Sequence, residues 1–157
     1  MHLGLLIIGD NTDDRMNAII DTKDHFDYFD LGGYWKEHLI SKDGMQCSTL
    51  LKKELDLEQM KKKASTRVEH TMKFKDFGYF YPYPYIFSES FLNIENEKEK
   101  IEIFNKNIFC VHYLIKSNNE IIELKDKDNI IEFLDTILKE IDDISEDTRI
   151  SIYDIHI

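Results

Sequence analysis

Cysteine is scarce in this chain of 157 residues, with only Cys47 and Cys110. The two are far apart and form no Cys-x-x-Cys pair, which excludes a disulfide framework or a zinc ribbon. Cys110 lies in an apolar run and reads as a small buried hydrophobe. Proline is as rare: Pro82 and Pro84 both fall in one aromatic segment, so no other stretch is interrupted by it. No apolar run approaches the ~18 residues of a membrane span. The opening run Leu3–Ile8 is short and lacks a basic leader or a cleavage site, so it reads as a first strand rather than a signal peptide. The expected setting is cytoplasmic, with no membrane partner.

Basic residues are also in deficit, 20 against 31 acidic, for a formal net charge of −11. A broad excess of acid repels phosphate backbones, which argues against nucleic acid as a partner. It leaves room for a small anion held by a few local donors. Phosphate-loop, nucleophile-elbow and zinc-protease motifs are all absent. The six histidines (His2, His25, His38, His70, His112 and His156) show no metal-ligand spacing, so neither a metal nor a cofactor is expected.

What is present is enough apolar surface for an ordinary core: 42% of residues are hydrophobic and 32% charged. At this length one domain spanning 1–157 is the expectation. Leu3–Ile8, ending at Gly9-Asp10, predicts a buried central strand. Asn11–Lys23 is polar, with Met16, Ile19 and Ile20 at helical spacing, and is open to a short helix or an ordered loop. Phe26–Leu31 and Tyr34–Ile40 flank Gly32-Gly33 and predict a hairpin, with a second turn at Lys42-Asp43-Gly44. Asp56 and Gln59 predict a helix start, and Leu57, Met60, Ala64 and Val68 mark one face of a helix to about His70. Its other face carries Lys61, Lys62, Lys63 and Arg67, the only local basic cluster.

Phe74–Phe91 is dense in aromatics, and its prolines exclude a helix or a central strand. Its rings, Tyr81 and Tyr83 among them, either cover the sheet or form a stacking wall for a planar ligand. Ile108–Ile115 and Ile121–Leu124 predict a second hairpin. Ile130, Phe133, Leu134, Ile137, Leu138 and Ile141 predict the clearest helix, capped at Asp128. Arg149–Ile157 alternates as a strand, with Ile150, Ile152, Asp154 and His156 on one face. The predicted fold class is α+β: a mostly antiparallel sheet of about five to six strands with two main helices on one face. Leu5, Ile7, Trp35, Val111, Tyr113, Phe133, Leu134, Ile137, Ile150 and Ile152 are the expected core.

Two places gather chemistry. Asp27–Trp35 sets acids, aromatics and the only tryptophan around Gly-Gly, and Tyr153–Ile157 ends a strand with an acid and a histidine. Asp154 and His156, two apart on one face, form a candidate pair in which the carboxylate orients a basic imidazole. Asp30, Gly32, Gly33, Tyr34, Trp35, Lys62, Arg67, Tyr81, Tyr83 and His156 are the candidate ligand-binding residues.

These segments together resemble a family of small bacteriophage and prophage proteins, mostly uncharacterised. That family carries a Trp-Asp-Trp-Tyr-x-Ile-Gly-Gly-Arg-Trp motif and a closing Asp-x-His. Asp27, Tyr28, Phe29, Leu31, Gly32, Gly33 and Trp35 match the first motif, and Asp154 and His156 the second. Phe26 and Tyr34 stand where the family has Trp and Arg, so an arginine contact to an anion is not implied here. The resemblance covers both chain ends and about the first third. Its phage setting implies an accessory anti-defence protein of the host cell cytoplasm. On that basis the expected activity is non-enzymatic: the protein binds and sequesters a nucleotide-like immune signal. A nucleotide hydrolase using His156 and Asp154, or an acidic inhibitor docked on a host defence protein, are the alternatives. Self-association is left open.

Overall fold

A computed structural model describes residues 2–23, 26–36, 38–64, 96–125 and 129–157. Their strands are β1 (His2–Ile8), β2 (Tyr28–Leu31), β3 (Leu39–Ile40), β4 (Gln46–Cys47), β5 (Thr49–Leu51), β6 (Tyr113–Ile115), β7 (Ile121–Glu123) and β8 (Arg149–His156). The helices are α1 (Thr12–Thr22), α2 (residues 57–64), α3 (Glu97–Lys106) and α4 (Ile130–Asp143).

The last strand is the axis of the fold. Both faces of β8 are apolar along most of its length, and a strand hydrophobic on both sides is stable only between two layers. It pairs antiparallel with β1 on one side and with β2 and β5 on the other. Beyond β1 the sheet continues to β6, its one parallel neighbour, and then to β7. The result is α+β, a six-stranded mixed sheet that is mostly antiparallel, as the alternation predicts.

Leu6, Ile8, Ile150 and Ile152 project from one face into a large core shared with Met60 of α2, Ile103 of α3 and Phe133, Leu134, Ile137 and Ile141 of α4. Leu5, Ile7, Tyr153 and Ile155 project from the other face onto Met16 and Ile19 of α1. The segment Asn11–Lys23 is therefore a helix, and the sheet has helices on both faces. Its few apolar residues suffice because α1 covers only one strip of the sheet. Tyr153 anchors the start of that helix. Its hydroxyl donates to Asp13 Oδ1 at 2.6 Å and lies 2.8 Å from Thr12 Oγ1. Burial, with the Asp13 bond, pushes this phenol up to about 12. Arg15 clamps the end of β1 to the β6–β7 turn, donating to the carbonyls of Ile8 (2.7 Å) and Lys116 (2.8 Å).

Three local expectations change. Gly32-Gly33 does not close a hairpin: β2 pairs with β8, and Gly33–Trp35 is a 3-10 turn that swings the chain across the sheet. The predicted turn at Lys42-Asp43-Gly44 does form, and it joins the antiparallel pair β3 and β4. Ile108–His112 is buried but not strand, because Cys110 takes a positive φ of 56° and breaks the extension before β6. The α4 N-cap is Asn129, while Asp128 lies outside the described residues, as do Arg67, Val68 and the Phe74–Phe91 segment. Every residue expected in the core is buried.

Gly4 is a close approach within the core. A Cβ there would sit 2.7 Å from Trp35 Cε2, so the indole lies directly on the β1 backbone. Overpacking of this kind costs about 1–3 kcal/mol. Gly4→Ala should therefore lower stability by about that amount in urea unfolding followed by Trp35 fluorescence, and an unchanged midpoint would refute the contact.

Candidate functional site

Strand register builds the site. On the face that carries Ile150 and Ile152, β2, β8 and β1 place Asp30, Asp154 and Gly4 in one row across the sheet. The adjacent row is Tyr28, His156 and His2. Antiparallel neighbours in register share a face, which brings residues from three distant segments within reach of one ligand.

Asp154 is the base of this arrangement. It is only 3% exposed, and a buried carboxylate needs partners. His2 Nδ1 lies 3.0 Å from both of its oxygens, and the Tyr34 amide donates to Oδ2 at 3.2 Å. Gly33 makes the second contact possible. A Cβ at Gly33 would collide with the Asp154 side chain, and its φ of +49° suits glycine. The Gly-Gly turn thus exists to lay a backbone amide on a carboxylate. The Gly32 amide donates to Ile152 O at 2.9 Å, and its carbonyl accepts from Trp35 N at 2.7 Å, which fixes the turn on β8.

Above Asp154 opens a cleft of about 610 Å³ lined by His2, Tyr28, Asp30, Gly33, Tyr34, Lys36, His38, Lys63 and Asp154. Tyr28 and Tyr34 are 49% and 51% exposed, unusual for rings on an otherwise covered face. Tyr34 packs edge-on to His2 with centroids 4.2 Å apart, and Tyr28 stacks on His156 at 5.1 Å. His156 Nδ1 lies 2.9 Å from Asp27 Oδ2.

The Gly-Gly turn and the C-terminal strand therefore meet on one face, but the expected pairing is exchanged. Asp154 holds His2 rather than His156, and His156 is held by Asp27. Residues two apart on a strand point the same way without touching, whereas cross-strand neighbours touch. Of the candidate ligand residues, Asp30, Gly33 and Tyr34 line the cleft. Gly32 shapes the turn without lining it, and His156 reaches the site through its ring contacts with Tyr28 and His2.

Trp35 lies below the cleft as part of the core, 3% exposed, donating to Cys110 O at 2.8 Å. Lys62 is exposed on α2 and its neighbour Lys63 takes the lining position. Arg67, Tyr81 and Tyr83 lie outside the described residues. Sequence reasoning missed His2, Tyr28, Lys36, His38 and Lys63 as lining residues. Pairing the first strand with the last in register would have found His2, since a partner for Asp154 was required. Among the described residues no group of three or more potential ligands could hold a metal ion.

His112 lies beneath this region, its amide donating to Gly4 O at 2.8 Å. Burial holds its imidazole down from 6.5 to about 4. The unfolded chain takes up this proton first, so the stability that neutral His112 supports is fully present above about pH 6.5 and is lost as pH falls towards its folded value. From about pH 7 to about pH 5 the expected loss from this group is about 2 kcal/mol. His112→Leu should flatten the slope of urea-derived stability across that window, and an unaltered slope would contradict the assignment. Gly33→Ala should destabilise by at least about 1 kcal/mol more than Gly44→Ala. Gly44 shares a positive φ, yet a Cβ there meets nothing within 4 Å. Equal costs would mean that the Gly33–Asp154 approach is not tight. No protein-family model matches this chain, and no curated protein and no solved structure matches it either.

Proposed function

We propose that the cleft binds a small nucleotide-like ligand, with a planar base against Tyr28 and Tyr34 and phosphate oxygens against Lys36 and Lys63. One observation carries this reading: two half-exposed tyrosines and two lysines converge on a cleft of about 610 Å³ over the buried Asp154 and its partner His2. That volume is in the usual range for small-molecule sites, about 300–1,000 Å³. Aromatic faces accept any base, and lysine supplies a point charge to phosphate. Lys36 and Lys63 set two positive charges at the cleft of a chain whose formal net charge is −11. The acidity of the rest of the chain favours a small ligand over a polyanion.

The resemblance to phage proteins supports a biological setting for this reading: an accessory protein that removes a nucleotide immune signal from circulation in the host cell. No helix among the described residues is long and apolar enough to cross a membrane.

Incubation with a panel of cyclic nucleotides and ADP-ribose derivatives, followed by gel filtration and denaturation, should release a bound nucleotide. Tyr34→Ala should weaken its binding at least about 10-fold, since stacking contributes about 1–3 kcal/mol per base. The melting temperature should hold, because the ring is half-exposed. Failure of every nucleotide in the panel to bind would defeat the reading.

A further inference from the structure

Asp30 and Lys36 carry opposite charges into the cleft and are not spent on each other. Both line it, and among the described residues neither the Asp30 carboxylate nor the Lys36 ammonium makes a hydrogen bond or an ion pair. The second carboxylate of the cleft is engaged: Asp154 accepts from the Tyr34 amide at 3.2 Å and lies 3.0 Å from His2 Nδ1. Opposite charges that share a cleft without closing on each other leave an acceptor and a donor for a ligand. Position ties Asp30 to a ring. Tyr28 and Asp30 are two apart on β2, so they share a face, about 6.5 Å apart along the strand. His156 stacks nearly parallel on Tyr28, at 6° with centroids 5.1 Å apart. The Tyr28 side is still 49% exposed, which leaves ring surface for a base to stack on.

From this juxtaposition we infer that the cleft selects guanine, with Asp30 as the residue that reads the base. The inference rests on the cleft being the nucleotide site and adds which nucleotide it takes. An ionised carboxylate only accepts, and its two oxygens accept side by side. Guanine alone among the common bases sets two donors side by side on its pairing edge, N1–H and the N2 amino group. Adenine and cytosine place a ring-nitrogen lone pair beside their amino group, and uracil flanks its single N–H with two carbonyl oxygens. Each of these turns a lone pair towards a group that has no proton to offer, which is how a site rejects the wrong partner. The spacing agrees. The half-width of a purine plus a hydrogen bond of about 2.9 Å covers the interval from Tyr28 to Asp30. A guanine stacked on Tyr28 thus meets Asp30 with its pairing edge. Lys36, which can only donate, is left for the phosphate.

The test uses the full chain and four probes, GMP, IMP, AMP and 2′-deoxy-GMP, with dissociation constants from isothermal titration calorimetry. GMP should bind at least about 10-fold more tightly than AMP, the discrimination that a bidentate base contact supplies. IMP, which keeps N1–H and lacks the amino group, should fall between them, and 2′-deoxy-GMP should match GMP. Asp30→Ala should bring GMP to within a few-fold of AMP with the melting temperature unchanged, since Asp30 is exposed. Lys36→Ala should weaken GMP and AMP by a common factor, because the phosphate is common to both. Equal affinities for GMP and AMP in the wild-type chain would overturn the guanine assignment and leave the nucleotide site standing. A preference for GMP that survives Asp30→Ala would do the same. Loss of binding by 2′-deoxy-GMP would put Asp30 on the ribose hydroxyls instead of the base and overturn it too. Binding of none of the four would overturn it outright, and the panel of cyclic nucleotides and ADP-ribose derivatives would then decide the nucleotide site by itself.

Discussion

The contact between the Trp35 indole and the bare backbone of Gly4 is what the rest of the structure depends on. A tryptophan can lie flat on a strand only where that strand presents no side chain, and β1 offers this at one position. Once seated, the indole bonds Cys110 O and so pins the irregular Ile108–His112 segment, whose own amide at His112 returns to Gly4 O. The same anchoring sets where the chain must go before Trp35. The turn has to cross β8 closely enough for Gly33 to rest on Asp154, and the Tyr34 amide then becomes that carboxylate's donor. Core packing and site geometry are consequently one problem here. The apolar contact carries the energy, and the polar contacts inherit its precision.

Much of the architecture was legible in the sequence because it depends on periodicity. The alternation through Ile150, Ile152, Tyr153 and Ile155 identified β8, and the apolar spacing from Ile130 to Ile141 identified α4, whatever their partners. The Gly-Gly turn shows where such reasoning stops. Two aromatic runs around glycines have the pattern of a hairpin, and local propensity cannot tell that the second run is recruited by Gly4, some thirty positions earlier in the sequence. Cys110 misled for a similar reason. Its apolar neighbours read as strand, while its positive φ interrupts the extension and its carbonyl accepts the indole bond. α1 was ambiguous because a helix that buries only Met16 and Ile19 has too weak a stripe to declare itself.

The site was half visible for the same reason. Asp154, Gly33 and Tyr34 stood out because unusual residues cluster around them, but the identity of each polar partner depended on register. Strand pairing hands Asp154 to His2 and leaves His156 to Asp27, an exchange that a reading along one strand does not reveal. Lys63 rather than Lys62 faces the cleft because the rotation of α2 is set by Met60 and Ala64 entering the core.

Asp154 and His2 are 152 positions apart, and the strands that carry them are the most intimately paired in the sheet. Closing so long a loop carries a large entropic cost before any contact rewards it. The β1–β8 ladder is thus a late event, unavailable to a nascent chain until β8 has been synthesised. Until then β1, apolar on both faces, has no antiparallel partner, and its parallel neighbour β6 is itself more than a hundred positions away. The arrangement that gives the cleft its composite floor also makes the protein dependent on a slow, all-or-none docking step. The cleft comes into being only as that step completes.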